Sequence, residues 1–200
     1  MTRKHNRPLP RRHSIRLKNY DYSQSGLYYI TICTQGRIEL FGKIVENKII
    51  LNDAGKMIEK IWLKIPKIFP NARLHEYIIM PNHFHAIVEI IELSVGAESI
   101  SARNINIKTK RLDMESIPPK GKIIEKVSLP KIVQTFKRYT TVEYIKMVKQ
   151  NLLPPFKKRI WQRNYYEHII RDEKDYLKIA EYIISNPLKW EEDKYYVKNN

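Results

Sequence analysis

The segment from residue 72 to residue 93 constrains the fold more than any other part of the sequence. Two runs rich in apolar and β-branched residues, ARLHEYIIM and HFHAIVEIIEL, are separated only by Pro81 and Asn82. Such runs are typical of strands, and so short a link predicts a tight turn between them. Because side chains alternate along a strand, His83 and His85 are expected to leave the same face.

Two imidazoles on one strand face have two interpretations. They are either ordinary strand histidines, each of which needs a hydrogen-bond partner wherever it is buried, or two ligands of one metal ion. The spacing alone suits both readings, so the rest of the sequence has to separate them.

Composition limits the class of protein. The 200 residues, of which 42% are hydrophobic and 29% charged, suit one globular domain. No apolar stretch approaches the roughly 20 residues of a membrane span. The basic N-terminus is not followed by the apolar segment of a secretory signal, and a single cysteine, Cys33, fits a reducing compartment. We therefore predict a cytoplasmic, nucleoid-associated protein without a membrane partner.

The net charge of the chain indicates what kind of molecule it binds. Lys and Arg number 37 against 21 acidic residues, a formal net charge of +16. Some small soluble proteins are simply basic, but a surplus of this size favours binding to the phosphates of nucleic acid. The sequence predicts a flexible basic arm over 1–19, one domain over 20–190 with a surface insertion at 94–126, and a tail over 191–200.

The predicted elements alternate between strands and helices. Strands are expected at 27–35, in a hairpin that turns near Glu46 and Asn47, in the pair at 72–93, and at 159–170. Helices are expected from Asn52 or Asp53 to about Pro66, after the cap Ser128, and from Asp172. In the second helix, Ile132, Val133, Phe136, Val142 and Ile145 are expected mostly on one side. This order predicts an α+β fold: a ferredoxin- or RRM-like antiparallel sheet with helices on one face and an extra C-terminal helix.

The last helix combines packing residues with a chemically useful pair. Tyr176, Ile179, Ala180 and Ile183 form its apolar stripe at helical spacing. Tyr182 lies beside that stripe and shares a face with Lys178 and Asn186. Two imidazoles and an amide oxygen are ligands for a divalent ion such as Mg²⁺ or Mn²⁺, and a phenol beside them is a candidate nucleophile.

At these residues the chain resembles the HUH tyrosine transposases, in particular those associated with repetitive extragenic palindromes (REP). MPNHFHAIVEI is similar to their His-hydrophobic-His motif, WQRNYYEHIIRDEKDYLKIAEYIISNPLKW to their C-terminal signature, and RRHSIRLKNYDYSQSGLYYITICTQGR to their opening. The resemblance covers roughly residues 11–190, interrupted by 94–126. It implies cleavage and rejoining of single-stranded, hairpin-bearing DNA through a 5′-phosphotyrosine, by a monomer or homodimer.

The resemblance also implies roles for individual residues. His83, His85 and Asn186 would bind Mg²⁺ or Mn²⁺, Tyr182 would be the nucleophile, and His168 would support the site. The expected DNA contacts are Arg11, Arg12, Arg16, Lys137, Arg138 and Arg163.

Several alternatives stay open at this point. Tyr165 and Tyr166 are rival nucleophiles, and Asn186 before Pro187 is also a plausible helix terminator. Exposed aromatic residues among Trp161, Tyr165 and Tyr166 would be able to stack unpaired bases. The whole protein is alternatively a domesticated hairpin binder that no longer cuts DNA, or a metal nuclease that uses water as its nucleophile.

Overall fold

Six strands and four helices make up the described part of the protein, a computed structural model that describes residue 17 and residues 20–92 and 127–197. The strands are β1 (Gly26–Cys33), β2 (Gly42–Val45), β3 (Lys48–Leu51), β4 (Ala72–Ile79), β5 (His83–Ile90) and β6 (Tyr166–Ile170). The helices are α1 (Asp53–Trp62), α2 (Ile65–Ile68), α3 (Leu129–Lys149) and α4 (Glu173–Ser185), and short 3₁₀ helices cover Gln35–Arg37 and Asn186–Glu192.

Four strands form one antiparallel sheet in the order β4-β5-β1-β6. Together with the helices between them, this is the ferredoxin-like arrangement that the sequence predicts. Strands β2 and β3 form a separate hairpin between β1 and α1. Its turn lies at Glu46 and Asn47, as predicted, and both residues adopt positive φ angles of 48° and 61°.

The two faces of the sheet carry different partners. Phe84 of β5 faces the main core, where its ring packs on Trp62 of α1 and Phe136 of α3. Helix α4 covers the opposite face, and its residues Ala180 and Ile183 are buried in a smaller cluster. The predicted α+β fold with an extra C-terminal helix is thus confirmed, and α4 is the element that covers the face bearing the histidines.

Helices α1 and α4 begin where the sequence places them. Asn52 caps α1 and accepts a hydrogen bond from the backbone N–H of Gly55 at 3.0 Å, while Asp172 caps α4 and accepts one from Asp175 at 2.8 Å. The predicted stripe of α4 is also observed, because Tyr176 and Ile179 pack beside the two buried residues of that helix.

Two predictions about helices and strands are wrong. The strand expected from residue 159 begins only at Tyr166, because Trp161 makes an isolated bridge with Thr34 and its ring enters the core. In α3, Val142 and Ile145 are 44% and 39% exposed. The residues that continue the buried stripe of α3 at helical spacing are Thr140 and Tyr144.

Part of the predicted organisation lies outside the described residues. This applies to the insertion at 94–126, to nearly all of the arm at 1–19 and to its three arginines, Arg11, Arg12 and Arg16. Within the part that is described, we find no helix with both the length and the apolar character needed to cross a membrane.

Candidate active site

Strand β5, an inner strand of the sheet, carries the two histidines at its N-terminal end, on the face covered by α4. His83 pairs with Cys33 and His85 with Thr31 of β1, and both imidazoles are fully buried. Their ring centroids are 4.5 Å apart. The alternation of the strand therefore places both rings together, as the sequence predicts, and each of them needs polar partners in the interior.

The partner of His83 is its neighbour in the chain. Asn82 Oδ1 lies 2.8 Å from Nδ1 of His83, and Asn82 is itself fully buried. The other ring nitrogen, Nε2, is buried and has no hydrogen-bond partner among the described residues. Because a buried polar atom without a partner is costly, this nitrogen marks a position where a ligand would be favourable.

The partners of His85 are hydroxyl groups of β1. Its Nδ1 lies 2.7 Å from the Tyr29 hydroxyl and 2.9 Å from Thr31 Oγ1, while its Nε2 lies 3.5 Å from the Tyr182 hydroxyl. Tyr29 also packs its ring on that of His85, with centroids 5.5 Å apart. Two residues of β1 thus fix the orientation of this imidazole, and α4 brings a phenol to its free edge.

Helix α4 presents Tyr182 and Asn186 one turn apart, in agreement with the predicted shared face. Tyr182 is 37% exposed, and its hydroxyl donates a hydrogen bond to Asp193 Oδ2 at 3.0 Å. The amide nitrogen of Asn186 donates to the same oxygen at 3.0 Å, whereas its Oδ1 is buried and finds no partner in the part of the chain that the structure describes. The nucleophile candidate is therefore held beside the imidazoles and remains accessible.

Asp193 is the site residue that the sequence analysis missed, since it lies in the segment expected to be a tail. Its other carboxylate oxygen accepts a hydrogen bond from the Tyr195 backbone N–H at 2.6 Å. The chain turns back after the 3₁₀ helix and returns this carboxylate to α4. In the sequence, the only indication of this role is that an acidic residue follows the predicted helix of Tyr182 closely. This residue belongs to no periodic pattern.

Burial sets the protonation states of the site. It lowers the pKa of His83 to about 4, against an opposing effect of the Asp193 charge, and lowers the pKa of His85 well below the usual 6.5, with the His83 charge adding to the effect. Burial also raises the pKa of Tyr182 above the usual 10, and the negative charge of Asp193 raises it further. Near neutral pH the site thus contains two neutral imidazoles and a protonated phenol.

This donor set can hold a divalent metal ion. Ligand atoms of His83, His85 and Asp193 all lie within 4.8 Å of one another. Asn186 adds an amide oxygen to this group, and within the described part of the chain neither this oxygen nor Nε2 of His83 has a hydrogen-bond partner. Neutral imidazole and carboxylate or amide oxygen together suit Mg²⁺ or Mn²⁺, so the residues fit the predicted cofactor.

The remaining predicted residues lie outside this cluster. His168 Nε2 is 2.7 Å from Asp175 Oδ2, at the start of α4. The Lys137 ammonium donates to the carbonyl oxygens of residues 162–164 at 3.0–3.3 Å, which ties α3 to that loop. Arg138 and Arg163 are exposed.

Of the two rival tyrosines, only one is accessible. Tyr165 is buried in the main core, while Tyr166 is 46% exposed on the same face of the sheet as Tyr29, with ring centroids 6.1 Å apart. The Lys194 ammonium lies 5.4 Å from the centre of the Tyr166 ring.

Comparison with known proteins shows that the chain is similar to a named transposase. The chain is 25% identical over 175 residues to a protein of Haemophilus influenzae (strain ATCC 51907 / DSM 11121 / KW20 / Rd) named "Putative REP-associated tyrosine transposase", which covers 86% of this chain and 77% of that protein. The predicted resemblance is confirmed, since the chain is similar to a protein named for this group of transposases.

The family is shown by a closer match. An uncharacterised protein of the same Haemophilus influenzae strain is 42% identical over 197 residues, which is 98% of this chain and 99% of that protein. The chain belongs to the family of this protein. A solved structure of a REP-associated tyrosine transposase bound to a REP hairpin is similar with a TM-score of 0.47 and 18% identity, over 90% of this chain and 74% of that chain. No family profile matches the chain.

Proposed function

We propose that this protein is a metal-dependent tyrosine transposase, which cleaves and rejoins single-stranded, hairpin-bearing DNA through a 5′-phosphotyrosine. One observation carries the proposal: the Tyr182 hydroxyl lies 3.5 Å from Nε2 of His85, next to a buried pair of imidazoles with an unpartnered nitrogen. Packing alone does not require a phenol to lie beside two buried imidazoles, whereas a nucleophile next to a metal site does.

His83 and His85 would hold the metal ion, with oxygen ligands from Asn186 or Asp193. The resemblance implies Asn186 as the oxygen ligand. Asp193 is a second candidate, because its carboxylate lies within 4.8 Å of ligand atoms of both histidines. When bound, Mg²⁺ or Mn²⁺ supplies Lewis-acid chemistry, which offsets negative charge on a phosphodiester. Burial keeps both imidazoles neutral, which is the form that binds metal ions.

The chemical step is a transesterification. The Tyr182 oxygen forms a bond to phosphorus, the bond between phosphorus and the 3′ oxygen breaks, and that oxygen takes up a proton to leave as a 3′-hydroxyl. The phenolic proton passes to Asp193, whose Oδ2 already accepts it in a hydrogen bond of 3.0 Å. Attack by another 3′-hydroxyl on the phosphotyrosine reverses these steps and rejoins the strand, so no nucleotide cofactor is required.

The substrate assignment depends on charge and on the surface beside the site. The net charge of +16 favours a phosphate backbone, and Arg138 and Arg163 are exposed for such contacts. Tyr166, which is accessible on the face of the sheet that carries the histidines, would be able to stack an unpaired base next to the cleaved phosphate. Tyr182 meets His85 within one chain, so a monomer suffices for catalysis.

A trapping experiment tests this function. The protein is incubated with Mn²⁺ and a labelled single-stranded oligonucleotide that contains a hairpin with single-stranded flanks, and the products are separated on a denaturing gel. We expect a covalent protein–DNA adduct with the wild type, its loss in Tyr182→Phe, and its retention in Tyr139→Phe, a matched change on α3 across the sheet.

The other two hypotheses give different results in the same experiment. A hairpin-binding protein without catalytic activity would retard the DNA on a native gel and form no adduct. If the protein is a hydrolytic nuclease, the Tyr182→Phe variant would still cut DNA, whereas the His83→Ala variant would not.

A further inference from the structure

Asn82 is a polar residue in an unusual place. It occupies the tight turn between β4 and β5, where asparagine is normally exposed, yet its side chain is fully buried. A buried amide must find partners for its oxygen and for its nitrogen. The partners that it finds belong to three separate parts of the chain.

The hydrogen bonds of Asn82 determine which way its amide points. Its Nδ2 donates to the backbone carbonyl of Tyr195 at 2.8 Å and to that of Arg37 at 3.2 Å. Carbonyl oxygens only accept hydrogen bonds, so the nitrogen must face them. The amide oxygen is consequently left facing Nδ1 of His83 at 2.8 Å.

This orientation decides where the proton of His83 lies. An amide oxygen only accepts hydrogen bonds, so Nδ1 must carry the hydrogen in the neutral ring and Nε2 must carry the lone pair. That Nε2 is the buried atom without a partner, in the cluster formed with His85 and Asp193. A ring with the opposite tautomer would place two acceptors against each other at Asn82 and an unpaired N–H in the site.

His85 differs from His83 in this respect. Its Nδ1 faces the hydroxyls of Tyr29 and Thr31, at 2.7 and 2.9 Å. A hydroxyl group donates or accepts as required, so these partners tolerate either tautomer of the ring. The two imidazoles are therefore supported in different ways, one by a fixed acceptor and one by adaptable groups.

We propose that Asn82 is a positioning residue, which holds His83 as the Nδ1–H tautomer and so keeps the Nε2 lone pair available before a metal ion arrives. The metal-binding consequence depends on the proposed function, whereas the tautomer of the metal-free protein does not. Partners of this kind, behind a metal ligand, change metal affinity by about 10- to 100-fold when they are removed.

The experiment measures the tautomer directly. Metal-free protein with ¹⁵N-labelled histidine is studied by long-range ¹H–¹⁵N NMR near neutral pH, and the ring signals are assigned with His83→Gln and His85→Gln. In the wild type we expect a pyrrole-type Nδ1 and a pyridine-type Nε2 for His83. In Asn82→Ala we expect His83 to lose this preference and Mn²⁺ affinity, measured by calorimetry, to fall by about 10- to 100-fold.

Two further variants separate positioning from folding. Asn82→Asp retains an acceptor for His83 but no donor for the two carbonyls, so it should keep the tautomer even where its thermal stability falls. Tyr29→Phe combined with Thr31→Val removes the partners of His85 and should leave the His83 tautomer unchanged.

The outcomes distinguish this inference from the proposed function. A wild-type His83 with its hydrogen on Nε2, or a folded Asn82→Ala with the wild-type tautomer and Mn²⁺ affinity, overturns the role of Asn82. A wild type with the expected tautomer that binds no Mn²⁺ contradicts the metal-dependent function, and the assignment of Asn82 as the group that sets the tautomer stands.

Discussion

Lowering the pH from 7 to 4 without metal is expected to destabilise the folded protein through His83. The ring is fully buried, and the groups that face it are His85, Asp193, Lys194 and Arg37. Burial is the largest effect and the two cations act in the same direction, so together they outweigh the attraction of the carboxylate. As a result the pKa is lowered to about 4, against the ordinary 6.5 of the unfolded chain.

The sign of the effect follows from proton uptake. Above pH 6.5 the ring is neutral in both states, so the free energy of unfolding does not depend on it. Between pH 6.5 and pH 4 the unfolded chain binds the proton and the folded protein does not, so stability decreases as the pH falls. At 1.36 kcal/mol for each pKa unit, the loss reaches roughly 3 kcal/mol near pH 4.

The assay compares the wild type with His83→Gln, which is similar in size and does not titrate. Urea unfolding is followed by tryptophan fluorescence at pH 7, 5.5 and 4 in the presence of a chelator. Carboxylates lose stability equally in both proteins, so the wild type should lose roughly 3 kcal/mol more than the variant between pH 7 and pH 4. Equal losses would refute the conclusion that burial keeps His83 neutral.

Three further predictions follow from other parts of the structure. Tyr166→Ala should weaken binding of hairpin DNA with a single-stranded flank by about 1–3 kcal/mol, and binding of a blunt hairpin much less, in fluorescence anisotropy; equal weakening of both would contradict base stacking. Gly55→Ala should destabilise the protein by about 1–3 kcal/mol in urea unfolding, because a Cβ at this position would clash with the Phe41 carbonyl oxygen, and an unchanged midpoint would contradict this clash. Asn52→Ala should cost about 1 kcal/mol in the same assay through loss of the α1 cap, and Asn52→Asp should cost less, because it keeps the acceptor for Gly55 and loses only the hydrogen bond to the Leu40 carbonyl; equal losses would contradict the capping role.

The parts of the fold that local patterns control could be predicted from the sequence. Strand β5 alternates with a period of two, so the common face of His83 and His85 followed from their spacing alone. The stripe of α4 and the cap Asp172 followed in the same way from helical spacing and capping chemistry.

The remaining features depend on tertiary contacts that leave no periodic signal. Trp161 lies in a segment with strand-like composition, yet its indole N–H donates to Thr140 Oγ1 at 2.8 Å inside the core, and the strand starts later. Asp193 reaches the site because the chain reverses after the Asn186–Glu192 helix. Neither contact is encoded in the spacing of neighbouring residues, so only the folded arrangement reveals them.

The residue that becomes linked to DNA decides whether Tyr182 is the nucleophile. The adduct formed with Mn²⁺ and a hairpin oligonucleotide is digested with a protease and a nuclease, and the modified peptide is sequenced by mass spectrometry. We expect a phosphotyrosine at Tyr182, in the peptide that contains EYIISNP. A linkage at Tyr166 or elsewhere, or strand cleavage without any covalent peptide, would contradict it.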